Sequence, residues 1–139
     1  MYYIKFIMKN NLFKLIEFLY YLSLLVLFIL YLFPGSLIGY FVYDDSSQQP
    51  NLVNNPIGTS INHLFFFIYL SILSFIIRFR NKKLINSFQF LFFISISLEL
   101  LHCIIPNRAF QYYDLFANIA GVLFVYLLSY LFFIKKFVK

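Results

Sequence analysis

Charge is scarce in this chain, and acid scarcest of all. Charged residues make up 12% of 139 positions, with five Asp and Glu against eleven Lys and Arg. A soluble domain carries about 25% charged residues. Tryptophan is absent, and Cys103 is the single cysteine, so an internal disulfide and a Cys-x-x-Cys centre are both excluded. Four glycines and four prolines leave no phosphate-binding glycine loop and no Gly-x-Ser-x-Gly elbow. The two histidines do not form His-Glu-x-x-His.

Apolar side chain fills the remainder, at 63% hydrophobic and 24% aromatic. So short a chain has too much surface to hide that much apolar material from water. Lipid is the solvent this composition requires. Four uncharged or nearly uncharged stretches predict membrane helices at about 15–34, 61–77, 84–105 and 115–134, each within the window of about 17–25 residues that crosses a bilayer core. Backbone groups in hydrocarbon must bond within their own segment, so the expected fold class is all-α, an integral membrane four-helix bundle in one domain over 1–139. The first stretch is longer than a secretory h-region and lacks an Ala-x-Ala-like site, and is read as an uncleaved anchor.

Ten of the eleven basic residues fall into three clusters that flank these stretches. Lys5, Lys9 and Lys14 precede the first. Arg78, Arg80, Lys82 and Lys83 link the second to the third. Lys135, Lys136 and Lys139 follow the fourth. Because positive charge is retained in the cytoplasm, both termini and the middle link are expected inside. The links 44–60 and 106–114, which hold Asp44, Asp45, Asp114 and one base, are expected outside. Basic residues spread in this way anchor helices at an anionic leaflet; they do not form a nucleic-acid stripe, and no nucleic-acid partner is expected.

Topology leaves a few polar residues unexplained. His63 lies near the outer end of the second stretch, Glu99 and His102 near the outer end of the third, and Asp114, Asn118 and Gly121 at the start of the fourth. Glu99 and His102 share a helix face at i, i+3, and Asp114, Asn118 and Gly121 share one at i, i+4, i+7. Ionisable groups inside membrane helices are costly and turn towards the bundle or a water-filled cavity. The expectation is an outward polar pocket of His63, Glu99, His102, Arg108, Asp114 and Asn118, roofed by the two outer links.

These residues resemble the VanZ-like family of small bacterial membrane proteins. That family's pattern places a His at the opening of one helix. A later run is Glu-x-x-Gln, a Pro-x-Arg, an Asp six residues after the Arg, then Asn and Gly. Here the run reads Glu99-Leu-Leu-His102, Pro106-Asn-Arg108, Asp114, Asn118 and Gly121, with His63 in the early position. Thr59-Ser60 stands where the family has Asp-Lys, His102 where it has Gln, and Val125 where it has a second Gly. The resemblance implies a multi-pass protein of the bacterial cytoplasmic membrane, in a family associated with teicoplanin resistance.

Several readings stay open. Arg108 and Asp114 form an ion pair that staples the link, or Arg108 receives an anionic lipid or lipid-linked cell-wall precursor through its guanidinium fork. Glu99 belongs to a structural network, or acts with His63 or His102 as an acid–base pair. His63, Glu99, His102 and Asp114 offer nitrogen and oxygen of the kind zinc accepts, but the family's Gln at position 102 argues against a shared metal site, and no metal or cofactor is expected. Asn118 caps or bonds between helices, Ala117-x-x-x-Gly121 lets helices approach, and Tyr112 and Tyr113 anchor at the interface. The leading expectation is an accessory envelope protein that binds such an anionic ligand and modulates glycopeptide susceptibility. The rivals are an enzyme on a lipid-linked substrate and a purely structural subunit of a membrane complex.

Overall fold

A computed structural model gives the architecture. It describes the backbone of residues 2–48 and 60–137, with side chains over 10–48 and 60–131. Pro50, Pro56, Gly58 and Thr59 in the first outer link lie outside the described residues, as do the side chains of Lys5, Lys9, Lys135 and Lys136 and all of Lys139. Among the described residues every regular element is helical: α1 (Tyr2–Leu32), α2 (Leu37–Tyr43), α3 (Ser60–Arg78), α4 (Phe88–Leu101) and α5 (Tyr112–Phe137), with a 3-10 turn at Leu84–Asn86. The all-α bundle read from the sequence is the fold observed.

Helix α1 ends where the chain forbids its continuation. Pro34 disfavours helical geometry at Phe33. Gly35 then takes φ +83°, a left-handed conformation open to glycine, and a Cβ there would come within 2.7 Å of the Ser46 carbonyl. The chain then turns into the short helix α2. The Ser36 hydroxyl caps α2 by accepting from the Gly39 N–H at 2.9 Å. The Ser36 N–H donates to the Ser46 carbonyl at 2.7 Å, closing the turn. Asp45 accepts from the Ser47 N–H (2.8 Å) and hydroxyl (2.7 Å), and these bonds hold its carboxyl below the usual range. Helix α2 was not anticipated, because its residues continue the apolar run of α1 without a periodicity of their own.

Among the described residues three helices are long and apolar enough to cross a membrane: α1 over Asn10–Leu32, α3 over Ser60–Arg78, and α5 over Tyr112–Leu131. The third expected stretch, 84–105, is shorter as a helix. It is continuous only over the 14 residues of α4, about 21 Å at 1.5 Å per residue, against a hydrocarbon core of about 30 Å. Ser87 sets its start, accepting from the Phe90 N–H at 3.1 Å. Its end loosens into turns after Leu101, where the His102 N–H returns to the Glu99 carbonyl at 3.1 Å.

Helix α3 packs most extensively against α5; α4 also lies on α5, and α1 on α3. The core takes Tyr20, Leu24, Leu27 and Tyr31 from one face of α1, Phe67, Leu70 and Ile77 from α3, Leu91, Ile94 and Leu98 from α4, and Val122 from α5. The α3–α5 crossing is close because of Gly121: a Cβ there would lie 2.7 Å from the Leu64 carbonyl oxygen and 2.9 Å from the Phe67 Cβ. Outward faces carry bulky apolar groups such as Phe65, Phe93, Phe116 and Leu127, each more than half exposed. A surface of that kind belongs against lipid, and the chain is built as a membrane protein.

Candidate functional site

The same end of three helices collects the buried ionisable groups. His63 sits at the start of α3, Glu99 at the end of α4, and Asp114 and Asn118 in the first turns of α5. Antiparallel neighbours bring these ends together. Glu99 and Asn118 are fully buried, and His102 and Asp114 nearly so. His63 is the member with some exposure, at 15% of its side chain. Among the described residues the expected pocket is a packed polar cluster with His63 at its edge, and most of the link 44–60 expected to roof it lies outside the described residues.

Tyr31, from the last turn of α1, is the hub. Its hydroxyl lies 3.0 Å from Asn118 Oδ1 and 2.5 Å from His63 Nδ1. Its ring stacks on His102 at 5.2 Å and meets His63 edge-on at 5.5 Å. Its carbonyl oxygen lies 3.2 Å from His102 Nε2.

Proton positions follow from these partners. The Ser95 carbonyl can only accept, so Asn118 turns its Nδ2 there, at 3.4 Å, and presents Oδ1 to Tyr31. The Tyr31 hydroxyl therefore donates to Asn118. Its oxygen is left to accept from His63, so His63 carries its proton on Nδ1. In the neutral ring Nε2 is then a bare lone pair, and it faces Asp114 Oδ2 at 3.6 Å. The second pair repeats the arrangement. His102 Nε2 donates to the Tyr31 carbonyl, and Nδ1 faces Glu99 Oε1 at 3.4 Å. Both separations exceed the usual N–H···O range of about 2.7–3.2 Å.

Hydrogen bonds to the carboxylate oxygens are unequal. Asp114 Oδ1 accepts from the Ser60 hydroxyl at 2.5 Å. Glu99 Oε1 accepts from the Gln111 N–H at 3.0 Å. Glu99 Oε2 is buried and has no hydrogen-bond partner among the described residues. One ligand atom from each of His63, Glu99 and Asp114 lies within 4.8 Å of the others.

Arg108 sits beside this cluster with a different occupation. Its Nε donates to the Phe33 carbonyl at 3.2 Å and its Nη2 to the Leu30 carbonyl at 2.5 Å. These are open carbonyls at the C-terminus of α1, where a cation also meets the negative end of the helix dipole. The expected Arg108–Asp114 staple is replaced by this cap, because Asp114 turns to Ser60 and His63 instead. Burial lowers the Arg108 pKa, while Tyr31, Glu99 and Asp114 oppose that shift.

Of the six residues expected in one pocket, the structure brings five into one packed network and sets Arg108 at its border. It missed Tyr31 and Ser60. Tyr31 is one of twelve tyrosines in an apolar chain, and nothing in its own neighbourhood separates a hub from an interfacial anchor. At the other end of the bundle a groove of about 490 Å³ lies between α3, α4 and α5, walled by Phe75, Phe88 and Tyr126 with Arg78 and Lys82 on its lining. It shares no residue with the polar cluster. Comparison of the chain with protein-family profiles, curated proteins and solved structures gives no match.

Proposed function

We propose that this chain is a multi-pass protein of the bacterial cytoplasmic membrane, of VanZ-like type, with both termini inside. In this reading its polar cluster faces outward and performs acid–base chemistry on the polar head of a lipid-linked envelope substrate. One observation carries the reading: two carboxylate–imidazole pairs, Asp114 with His63 and Glu99 with His102, are joined through Tyr31 inside an apolar bundle. Helix association does not require such a cluster, since hydrogen bonds between membrane helices average about 0.6 kcal/mol. A general acid or base contributes about 10²–10⁴ in rate. His63, at the exposed edge, meets the substrate and takes up a proton on Nε2; Tyr31 orients its ring through Nδ1 and Asp114 stabilises the imidazolium that forms; Glu99 and His102 form the second pair.

Simple binding of an anion is the second reading, and it would account for altered glycopeptide susceptibility without turnover. It draws on Arg108, whose guanidinium keeps N–H groups beyond the two it gives to α1. Two buried carboxylates at the same level weigh against an anion, which places this reading second.

The test is reconstitution of the chain in liposomes carrying a polyprenyl-diphosphate-linked precursor and anionic phospholipid, with products followed by mass spectrometry. Chemical change of the lipid is expected, falling by about 100-fold or more in Glu99→Gln and His63→Asn. Intact substrate with wild-type protein, together with loss of co-extracted lipid in Arg108→Ala, would favour the binder. Glycopeptide susceptibility unchanged by the wild-type chain would remove the link to resistance.

A further inference from the structure

We propose that His63, Glu99 and Asp114 together hold one divalent transition-metal ion, of which zinc is the type, through His63 Nε2, Asp114 Oδ2 and a carboxylate oxygen of Glu99. The inference goes beyond the acid–base reading and rests on it only for location: with the ion bound, His63 is a ligand and no longer the proton carrier.

Three independent features of the geometry point to a cation. The first is the spacing. Bonds of about 2.0–2.2 Å in a tetrahedral zinc site put ligand atoms about 3.3–3.6 Å apart. His63 Nε2 and Asp114 Oδ2 are 3.6 Å apart, too far for a good hydrogen bond and right for two vertices of a tetrahedron. The whole trio falls within 4.8 Å, so a small side-chain adjustment completes the set.

The second is the direction of lone pairs. Tyr31 and Asn118 fix the proton of His63 on Nδ1, and the bare Nε2 is turned towards carboxylate oxygen. Two lone pairs face each other, which is unfavourable unless something positive lies between them. A ligating histidine characteristically donates its other N–H to an outer partner in this way. Asp114 follows the same rule, since Ser60 occupies Oδ1 and leaves Oδ2 inward. Gln111 likewise occupies Oε1 of Glu99.

The third is an orphan. Among the described residues Glu99 Oε2 has no hydrogen-bond partner, and Glu99 has zero exposure. A buried carboxylate oxygen left unsatisfied is costly, and a cation removes the cost. Two carboxylates and a neutral imidazole carry a formal charge that a divalent ion cancels. Three protein ligands also leave one position open, the arrangement of catalytic rather than structural zinc. The exposed edge at His63 is the route to it.

Protons on the two carboxylate–imidazole pairs are the rival occupants, and a direct titration separates the two. The full chain, purified in detergent through a histidine-free tag and stripped with chelator, is titrated with zinc against a chromogenic zinc indicator, then with cobalt in the visible range. One zinc per chain is expected, along with the ligand-field absorption of low-coordinate cobalt. Ser60→Ala, which removes only an outer partner, weakens zinc binding by about 10–100-fold. Glu99→Gln and Asp114→Asn weaken it more than that and abolish the cobalt spectrum, with helicity and elution volume unchanged. If those variants do not fold, wild-type stoichiometry, the cobalt spectrum and Ser60→Ala decide alone. A wild-type chain with no stoichiometric zinc, or zinc affinity unmoved by all three substitutions, overturns the site. Zinc is read without substrate, so a chain that binds it and turns nothing over keeps this site and loses the acid–base reading. Turnover without zinc does the reverse.

Discussion

Replacing Tyr31 by Phe is the sharpest single perturbation of the network. The ring stays, so its stacking on His102 at 5.2 Å and its buried packing on α1 are kept. Only the hydroxyl goes, and with it the bonds to Asn118 Oδ1 at 3.0 Å and His63 Nδ1 at 2.5 Å. Hydrogen bonds between membrane helices average about 0.6 kcal/mol and reach about 1.7 kcal/mol. A buried group left unsatisfied costs about 1–3 kcal/mol in proteins generally. Asn118 is fully buried and loses its donor, while His63 lies at the edge and recovers part of its loss from water. The expected destabilisation of Tyr31→Phe is therefore about 1–2 kcal/mol, a factor of about 5–30 in the folding equilibrium. Unfolding in mixed micelles of increasing dodecyl sulfate, followed by far-ultraviolet circular dichroism, measures it. A double-mutant cycle with Asn118→Ala isolates the shared bond, which should couple the two sites by about 0.5–1.5 kcal/mol. A coupling indistinguishable from zero would refute the hub, whatever the single variants cost.

Other expectations follow from separate contacts. Gly121→Ala drives a Cβ towards the Leu64 carbonyl and Phe67; it should cost about 1–3 kcal/mol as overpacking, measured in the same unfolding assay. Arg108→Met keeps the stem but uncovers the Leu30 and Phe33 carbonyls, so amide hydrogen exchange should rise at the end of α1 while the start of α5 is little changed. Cys103 is exposed beside the end of α4; a membrane-impermeant maleimide should label it in intact cells, and labelling only after lysis would invert the proposed orientation.

How much of this was legible follows from the kind of signal each element left. The long helices were readable, because an uncharged run bounded by lysines admits few other structures in lipid. Helix α2 was not, since Leu37–Tyr43 is as apolar as α1 and only the Pro34–Gly35 break separates them. The full length of 84–105 as one helix was an overestimate, because hydropathy does not register that Ser87 caps a new helix after the 3-10 turn. The convergence of His63, Glu99, Asp114 and Asn118 was readable from their common distance to the outer helix ends. The occupation of Arg108 was not, as its partners are backbone carbonyls 75 and 78 positions away, which no side-chain pattern announces.

Proximity of the ends of α3 and α5 is the claim on which the cluster stands, and an engineered disulfide tests it most directly. In a Cys103→Ser background, Ser60→Cys is paired with Asp114→Cys, whose native side chains are 2.5 Å apart, and separately with Ser129→Cys, further along α5. After mild oxidation, intact-mass spectrometry should show the loss of two hydrogens in the first pair and not in the second. A bond that forms only between positions 60 and 129, or in neither pair, would contradict the account.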